Sequence, residues 1–356
     1  MKQIKLLACF LAAVVLLLPS AVNVNAVVIT DDGIFQYTYN DNSWQLHRYL
    51  GHDTELTLPQ SYSGLPVTEI SDNCFKDSNV VSVSIPDGYS FIGNFAFSGC
   101  NELQNINIPA SVQIIGLGAF SNSGLTGADL SNTSINVVSS YLFKDCTALE
   151  SVALPDSVTS IGEYAFYNTA ICNINIPSST LSIDRYAFAQ TASLDTVSLS
   201  DKLESIGDSC FENSTVSQIN LPESLTSIGT SAFRNAASLK NMYIPDSVTT
   251  IGGYAFFPMS VQSNIHIDCF KDSYADEYCY ENFVMDYTAY DKLMGDADLN
   301  GVININDATA IQRHCAYIKM FTPQQKVTAD VNNDGKVNIL DATSVQRILL
   351  HYQDPN

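Results

Sequence analysis

The sequence predicts a mainly β solenoid built from coils of 22 or 23 residues, followed by a small all-α domain. Two repeats in the chain lead to this prediction. Phenylalanine recurs through the middle of the chain at a nearly constant step, and a short Asp/Asn-Gly loop occurs twice near the C terminus, 34 residues apart. A repeat of this length indicates a solenoid, because one coil cannot bury its apolar side alone and must stack on its neighbours. The repeat phenylalanines are Phe75, Phe97, Phe120, Phe143, Phe166, Phe188, Phe211, Phe233 and Phe256.

The composition is that of a folded, acidic chain. The 356 residues include 46% hydrophobic and 15% charged residues, which is unlike the composition of disordered chains. The formal net charge of −21 opposes binding to nucleic acid or to an anionic membrane surface. We therefore expect neither of these partners.

Residues 1–26 have the pattern of a signal peptide. Lys2 and Lys5 form the positive end, Leu6 to Leu18 form the apolar core, and Val24-Asn25-Ala26 is a small-residue cleavage site, with cleavage after Ala21 as the second choice. No later apolar run is long enough to span a membrane. The sequence therefore predicts a secreted, extracellular protein without a membrane span.

The repeat frame over residues 56–258 explains how one coil is built. A short strand such as Ile106–Ile108 alternates inward and outward residues, and a proline ends it. A second extended segment follows, and Ala-Phe then places a ring in the interior. We expect the glycine of the recurring Ile-Gly pair to turn the corner between this second segment and Ala-Phe. These glycines are Gly93, Gly116, Gly162, Gly207, Gly229 and Gly252.

This frame resembles the leucine-rich repeats of the BspA-like surface proteins of bacteria. The resemblance implies a capping β-hairpin over residues 27–55 and a closing strand and short helix within 259–290. Solenoids need such caps to cover their terminal coils. The chain between the closing cap and the C-terminal domain, about residues 288–294, is short and lacks Gly and Pro, so we expect little freedom there.

Two rows of residues along the solenoid are candidates for binding an unknown protein or carbohydrate ligand. The first row occupies outward strand positions and is mostly small and polar. The second lies two residues before the repeat phenylalanine and is aromatic; such residues either form a platform for sugar rings or pad the coil. The polar row is Ser84, Asn107, Asp129, Asn175, Ser198, Asn220 and Tyr243, and the aromatic row is Phe95, Tyr141, Tyr164, Tyr186 and Tyr254.

The cysteines do not form a disulfide framework. Cys74, Cys100, Cys146 and Cys210 occupy repeat positions that favour buried, small apolar residues. Whether Cys269 and Cys279, both in the closing cap, pair with each other is left open by the sequence.

No catalytic constellation stands out. The solenoid and its caps contain only His47, His52 and His266, and the chain has no HExxH, GxSxG or Walker pattern. Acidic residues are numerous enough for a glycosidase pair, but most lie in turn positions of the repeat. The repeat frame leaves no stretch for a separate catalytic domain, so we expect a non-catalytic protein.

The duplicated C-terminal loop has the pattern of an EF-hand calcium site. Oxygen-bearing side chains occupy loop positions 1, 3, 5, 9 and 12, glycine occupies position 6, and position 7 offers a backbone carbonyl. Position 12 is Asp instead of the usual Glu, and a helical stretch follows each loop. The predicted ligands of two Ca²⁺ ions are Asp296, Asp298, Asn300, Val302, Asn304 and Asp307 in the first copy, and Asp330, Asn332, Asp334, Lys336, Asn338 and Asp341 in the second.

This loop–helix pair resembles a type I dockerin over about residues 292–353, and we expect the dockerin domain to span residues 291–356. The resemblance implies that the module binds a cohesin of a scaffoldin, the scaffold of a cellulosome, through loop positions 10, 11, 17 and 18. Many dockerins carry Ser-Thr at positions 10 and 11, and this chain does not, which leaves the class of cohesin open. The implied contact residues are Ile305, Asn306, Gln312 and Arg313, and Ile339, Leu340, Gln346 and Arg347.

The main functional hypothesis is a non-catalytic cellulosome component, from an anaerobic, fibre-degrading bacterium, whose solenoid binds a ligand while its dockerin provides the anchor. Dockerins commonly carry hydrolases for plant polysaccharides, so a hydrolase is the alternative. A purely structural spacer is the third possibility.

Overall fold

The computed structural model describes residues 29–257, 265–282, 284 and 286–352. The expected signal peptide, residues 1–26, lies outside the described residues. Within the described part of the chain, no helix is both long and apolar enough to cross a membrane.

Three strands cover the N-terminal end of the solenoid. β1 (Ile29–Asp31) pairs with β2 (Phe35–Asn40), and β2 pairs with β3 (Ser43–Tyr49), both antiparallel. The β2–β3 turn is tight because Asp41 and Asn42 both adopt positive φ, as type I′ hairpins require. β3 then pairs in parallel with the first coil. The terminal coil is therefore covered by a hairpin extended by one strand.

The solenoid contains two ladders of short parallel strands. The first ladder begins with β4 (Glu55–Thr57), and the second begins with β6 (Leu65–Ile70), to which the short β5 (Ser61–Tyr62) pairs in antiparallel fashion. Each later coil contributes one strand to each ladder. The first ladder continues with β7 (Ser82–Ser84), β9 (Asn105–Asn107), β11 (Gly127–Asp129), β13 (Ser151–Ala153), β15 (Asn173–Asn175), β17 (Thr196–Ser198), β19 (Gln218–Ile219) and β21 (Asn241–Tyr243). The second contains β8 (Phe91–Ile92), β10 (Ile114–Ile115), β12 (Val137–Val138), β14 (Ser160–Ile161), β16 (Ser182–Ile183), β18 (Ser205–Ile206), β20 (Ser227–Ile228) and β22 (Thr250–Ile251).

A strand, a helix and a second strand close the C-terminal end. β23 (His266–Phe270) pairs with β21, and β24 (Tyr287–Tyr290) pairs with β23, both in parallel. Between them, α1 (Tyr274–Glu281) begins at Ser273, whose hydroxyl accepts a hydrogen bond from the Asp276 amide. The segment 288–290, which we expected to be linker, is thus part of a sheet, and the connection shortens to residues 291–294.

The repeat phenylalanines form one continuous stack through the interior. From Phe75 to Phe256, each ring lies 4.7–5.7 Å from the next, with interplanar angles of 7–19°. These spacings lie near the distance between neighbouring strands, about 4.8 Å, because each coil places its ring above the equivalent ring of the previous coil. The prediction that Ala-Phe fills the interior is confirmed.

The corner of each coil lies beside this phenylalanine. The residue two positions before it and the residue two positions after it adopt positive φ in nearly every coil. Asn, Asp and Gly tolerate this conformation best, which explains their recurrence after the ring. The later position holds Asp77, Gly99, Asn122, Asp145, Asn168, Gln190, Asn213 and Asn235.

The expectation that the Ile-Gly glycines turn the corner was wrong. None of the six has a positive φ. Each instead lies against the backbone of the preceding coil, where an added Cβ would come within 2.3–2.6 Å of a backbone nitrogen. Glycine is therefore required for close approach between coils.

The four repeat cysteines are buried, as expected. Cys100 and Cys146 donate hydrogen bonds through Sγ to the carbonyls of Phe75 and Phe120, respectively. Cys269 and Cys279 are buried free thiols. The hydrogen bond from Cys269, together with burial, raises the pKa of Cys279.

Three helices follow the connection. α2 (Ile305–Cys315), α3 (Pro323–Ala329) and α4 (Ile339–Tyr352) surround a small core of their own, separate from the solenoid core. This confirms the predicted order of a β solenoid followed by an all-α domain. The core residues are Ala297, Ala308, Ile311, Phe321, Ala329, Ala342 and Val345.

A neighbouring pair of glycines tests the role of close packing. Gly252→Ala places its Cβ 2.3 Å from the Thr230 backbone nitrogen, whereas Gly253→Ala meets no atom within 4 Å. We expect Gly252→Ala to destabilise the solenoid by about 1–3 kcal/mol through overpacking, and Gly253→Ala to change little. Urea unfolding of both variants measures this, and equal effects would contradict the packing explanation.

Candidate metal centres and binding surfaces

The first acidic loop is shaped by hydrogen bonds from its own backbone. The Asn300 and Gly301 amides donate to the Asp296 carboxylate at 3.0 and 2.7 Å. The Asp298 and Asn304 amides donate to Asp307 at 3.1 and 2.7 Å. Leu299 and Gly301 adopt positive φ, which lets the chain turn tightly around the carboxylates. The loop therefore directs its oxygen atoms towards one centre.

The carboxylates of this loop converge. One oxygen from each of Asp296, Asp298 and Asp307 lies within 4.8 Å of the others, and Asp296 and Asp307 are buried. Burial raises the pKa of Asp307, and the neighbouring carboxylates act in the same direction. An all-oxygen, negatively charged set of this kind fits a hard cation such as Ca²⁺. It repels itself when no cation is bound.

The second loop repeats the same pattern of hydrogen bonds. The Asp334 and Gly335 amides donate to Asp330, and the Asn332 and Asn338 amides donate to Asp341. The carboxylate that the first loop carries at position 3, Asp298, is replaced by Asn332 in this copy. The second loop carries a carboxylate at position 5 instead, Asp334. Asp341 is fully buried, like its counterpart Asp307. The backbone thus presents both predicted ligand sets in one arrangement.

Each loop leads directly into a helix. Asn304 caps α2, and its side chain and Asp307 form a reciprocal capping box. Ile303 and Val337, at position 8 of the two loops, both pack against the small core between the helices. The residue that closes each loop, Asp307 or Asp341, therefore lies in the first turn of a helix, which couples the shape of the loop to the position of the helix.

The surface of the two helices presents all eight predicted cohesin-contact residues to solvent. Ile305, Ile339 and Leu340 are unusual in this position, because each is apolar and more than half exposed. A further exposed apolar group, which the sequence did not lead us to expect, lies in the connection after α2 and consists of Tyr317, Ile318 and Met320. The sequence does contain an indication of this group, because three large apolar residues occur close together in a segment that continues no helical pattern.

The polar row along the first ladder of the solenoid is largely accessible. Asn107, Asp129, Asn175, Ser198 and Asn220 are exposed, and Ser84 is half-buried. Tyr243 does not belong to this surface, contrary to our expectation. It is only 8% exposed and packs edge-on against Phe270, because β23 and β24 extend the sheet beyond it. The accessible row therefore ends one coil earlier.

The aromatic row is stacked on itself in the middle of the solenoid. Tyr164 lies between Tyr141 and Tyr186, with ring centroids 5.1 and 4.7 Å away and interplanar angles of 12°. The central ring has both faces covered by its neighbours, so it is no flat platform for sugars. Tyr254, by contrast, is 65% exposed and contacts Phe257 edge-on.

A stack of parallel-strand coils followed by two calcium-type loop–helix units defines a leucine-rich repeat protein with an added helical module. The chain belongs to the BspA type leucine rich repeat family, which it matches in six copies over residues 68–195 and 159–286. It also matches the dockerin type I domain over residues 294–350.

The comparison with curated proteins finds no match. Solved structures similar to this chain are leucine-rich repeat proteins. One, from Bacteroides ovatus, is 22% identical with a TM-score of 0.49 and covers 69% of this chain and 70% of its own. A cell surface protein of Faecalibacterium prausnitzii is 22% identical with a TM-score of 0.36 and covers 70% and 97%. The pneumococcal vaccine antigen PcpA is 13% identical with a TM-score of 0.39 and covers 74% and 98%.

These matches settle the coarse features of the protein. Type I dockerins bind calcium and imply anchoring to a cohesin, and the repeat solenoid implies a binding role. Both module types are typical of extracellular bacterial proteins. No catalytic domain is evident in the part of the chain that the structure describes.

Removal of one calcium ligand should disable one loop. We expect the wild type to bind two Ca²⁺ ions per chain and Asp296→Ala to bind one, with a lower melting temperature for the helical module, because metal binding and folding are coupled. Val302→Ala is the matched control, since position 7 offers only its carbonyl. Calorimetric titration with Ca²⁺ gives the stoichiometry, and unchanged binding by Asp296→Ala would refute the ligand assignment.

Proposed function

We propose that this protein is a secreted, non-catalytic component of a cellulosome-type complex. The dockerin, with one Ca²⁺ ion in each loop, anchors it to a scaffoldin cohesin, and the solenoid binds a protein or glycan. Such a protein would serve plant polysaccharide breakdown by bringing a recognition surface to the enzymes of the complex. The observation that carries the proposal is the duplicated loop–helix unit with an exposed, matching face on each helix.

The two helices support a cohesin interface that can be used in two orientations. Gln312-Arg313 on α2 and Gln346-Arg347 on α4 occupy equivalent positions, and all four residues are exposed. The faces differ at loop position 11, where Asn306 corresponds to Leu340. This difference makes the second face more apolar, and we expect the cohesin to prefer it modestly. The exposed Tyr317 and Ile318 add further apolar surface in the connection that follows α2.

Paired substitutions test the cohesin interface. If both orientations are usable, changing Gln312 and Arg313 to Ala, or Gln346 and Arg347 to Ala, should each weaken binding only several-fold, and the quadruple variant should abolish it. Cohesin affinity is measured by calorimetry with calcium present, and Lys240→Ala on the solenoid serves as a control. A large loss from one double variant would indicate a single orientation, and retained binding by the quadruple variant would reject the interface.

The non-catalytic role is tested separately. We expect the wild-type protein to release no reducing sugar from a panel of plant polysaccharides and no fragments from peptides, because the repeat and its two caps leave no stretch for a separate catalytic domain. Reducing-sugar assays and mass spectrometry give the result. Turnover that disappears on changing a single carboxylate or serine would establish the hydrolase alternative.

A further inference from the structure

Two cysteine side chains meet in the closing cap of the solenoid. Cys269 lies on β23 and Cys279 lies on α1, with only residues 270–278 between them in the chain. Both side chains are completely buried. The Cys279 thiol is hydrogen-bonded to the thiol of Cys269. We call these two groups the cap thiols.

The local structure of the cap explains why the two thiols face each other. In β23, Ile267 and Cys269 are two residues apart, so both point into the core, where they are buried. In α1, the buried residues Ala275, Tyr278 and Cys279 are spaced by three and four positions and share one face of the helix. Because that face packs against β23, the cap thiols belong to one core.

The four repeat cysteines have a different explanation. Cys100 and Cys146 occupy a position that holds Ser or Thr in the neighbouring coils, and their thiols lie 3.4 and 3.3 Å from a serine hydroxyl of the preceding coil. Cys74 and Cys210 occupy a position that holds Ala in the neighbouring coils. None of the four therefore has a cysteine at the same position of an adjoining coil. The cap thiols differ in that each has the other as its neighbour.

Closure of the cap suppresses the reactivity of these thiols. The hydrogen bond from Cys269, together with burial, raises the pKa of the Cys279 thiol. Because the thiolate is the reactive form, the closed cap disfavours both attack on an external disulfide and attack by an external thiol. Any oxidation of the pair must therefore take place while the chain folds, before α1 covers β23. The closed cap would then protect the product.

We propose that Cys269 and Cys279 form a disulfide as the cap closes, which fixes α1 on the end of the solenoid. The oxidant is a disulfide donor, either a small-molecule disulfide or a thiol–disulfide exchange protein. One cysteine thiolate attacks the donor, breaks its S–S bond and forms a mixed disulfide. The second thiolate attacks the mixed disulfide, which forms the Cys269–Cys279 bond. The donor accepts two electrons and the two thiol protons and leaves as two thiols. This inference rests on the proposed secretion, because such donors persist in oxidising compartments.

The disulfide would act on the residue that covers the end of the phenylalanine stack. Tyr278, next to Cys279, contacts Phe256 edge-on with ring centroids 6.1 Å apart. Its hydroxyl accepts a hydrogen bond of 3.2 Å from the Ala255 amide. Terminal coils of a solenoid open first unless they are covered. A covalent bond at the neighbouring position therefore holds the covering residue in place and stabilises the last coil.

The redox state of the cap thiols is measured on the full chain. The protein is produced in the oxidising periplasm of a bacterial host and, as a reduced reference, in the reducing cytoplasm. Free thiols are alkylated under denaturing conditions, and the digested chain is analysed by mass spectrometry. In the periplasmic preparation we expect the Cys269 and Cys279 peptides to be linked and two hydrogens lighter than their sum, and Cys100 and Cys146 to be alkylated. Alkylation of both cap thiols, or linkage of either to another cysteine, would overturn the proposal.

Melting temperatures test whether the bond stabilises the solenoid. With calcium present, the solenoid of the periplasmic wild type should melt several degrees above that of the cytoplasmic wild type. Cys279→Ala should remove this difference. Cys210→Ala is the matched control, because it changes a buried cysteine at a position that holds Ala in neighbouring coils, and it should keep the difference.

Equal melting temperatures of the two wild-type preparations would also overturn the proposal. If Cys279→Ala fails to fold, the mass spectra and the comparison of the two wild-type preparations decide the question, since neither requires a variant. Cohesin affinity, measured on both wild-type preparations, should be equal and reports separately on the proposed function.

Discussion

The distance between neighbouring coils governs most of this structure. Parallel strands hydrogen-bond at about 4.8 Å, and every coil must keep that distance from the next on both ladders. The stacked phenylalanines satisfy it, with ring spacings of 4.7–5.7 Å. Gly93 and its equivalents satisfy it by lacking a Cβ where the backbone of the preceding coil leaves no space. One constraint thus explains the largest and the smallest residues of the repeat.

The same constraint makes the two ends of the solenoid special. A coil without a neighbour would expose strand edges and one face of the phenylalanine stack, so the chain adds β1–β3 at one end and β23, α1 and β24 at the other. At the first end, Phe35 and Tyr49 contact Phe75, and at the second end Tyr278 contacts Phe256 edge-on. The helical module begins only after this closure and has a core of its own.

The helical module depends on a different interaction. Its core contains few large apolar residues, and two buried carboxylates, Asp307 and Asp341, lie at the starts of its main helices. Burying such groups without a cation is unfavourable, so the loops and helices are stabilised together when calcium binds. Because the solenoid core is apolar and the helical module buries carboxylates, we expect calcium to affect the stability of the helical module and not that of the solenoid.

The sequence by itself determined the period of the solenoid, its buried phenylalanines, and the two acidic loops with their helices. These features are local or strictly periodic, so residue type and spacing specify them. The structure alone decided the role of Gly252 and its equivalents, the burial of Tyr243 beneath β23 and β24, and the stacking that closes the faces of Tyr164. Each of these depends on what lies in the next coil or in the cap. Such contacts come from the stacking distance, which a single repeat does not reveal.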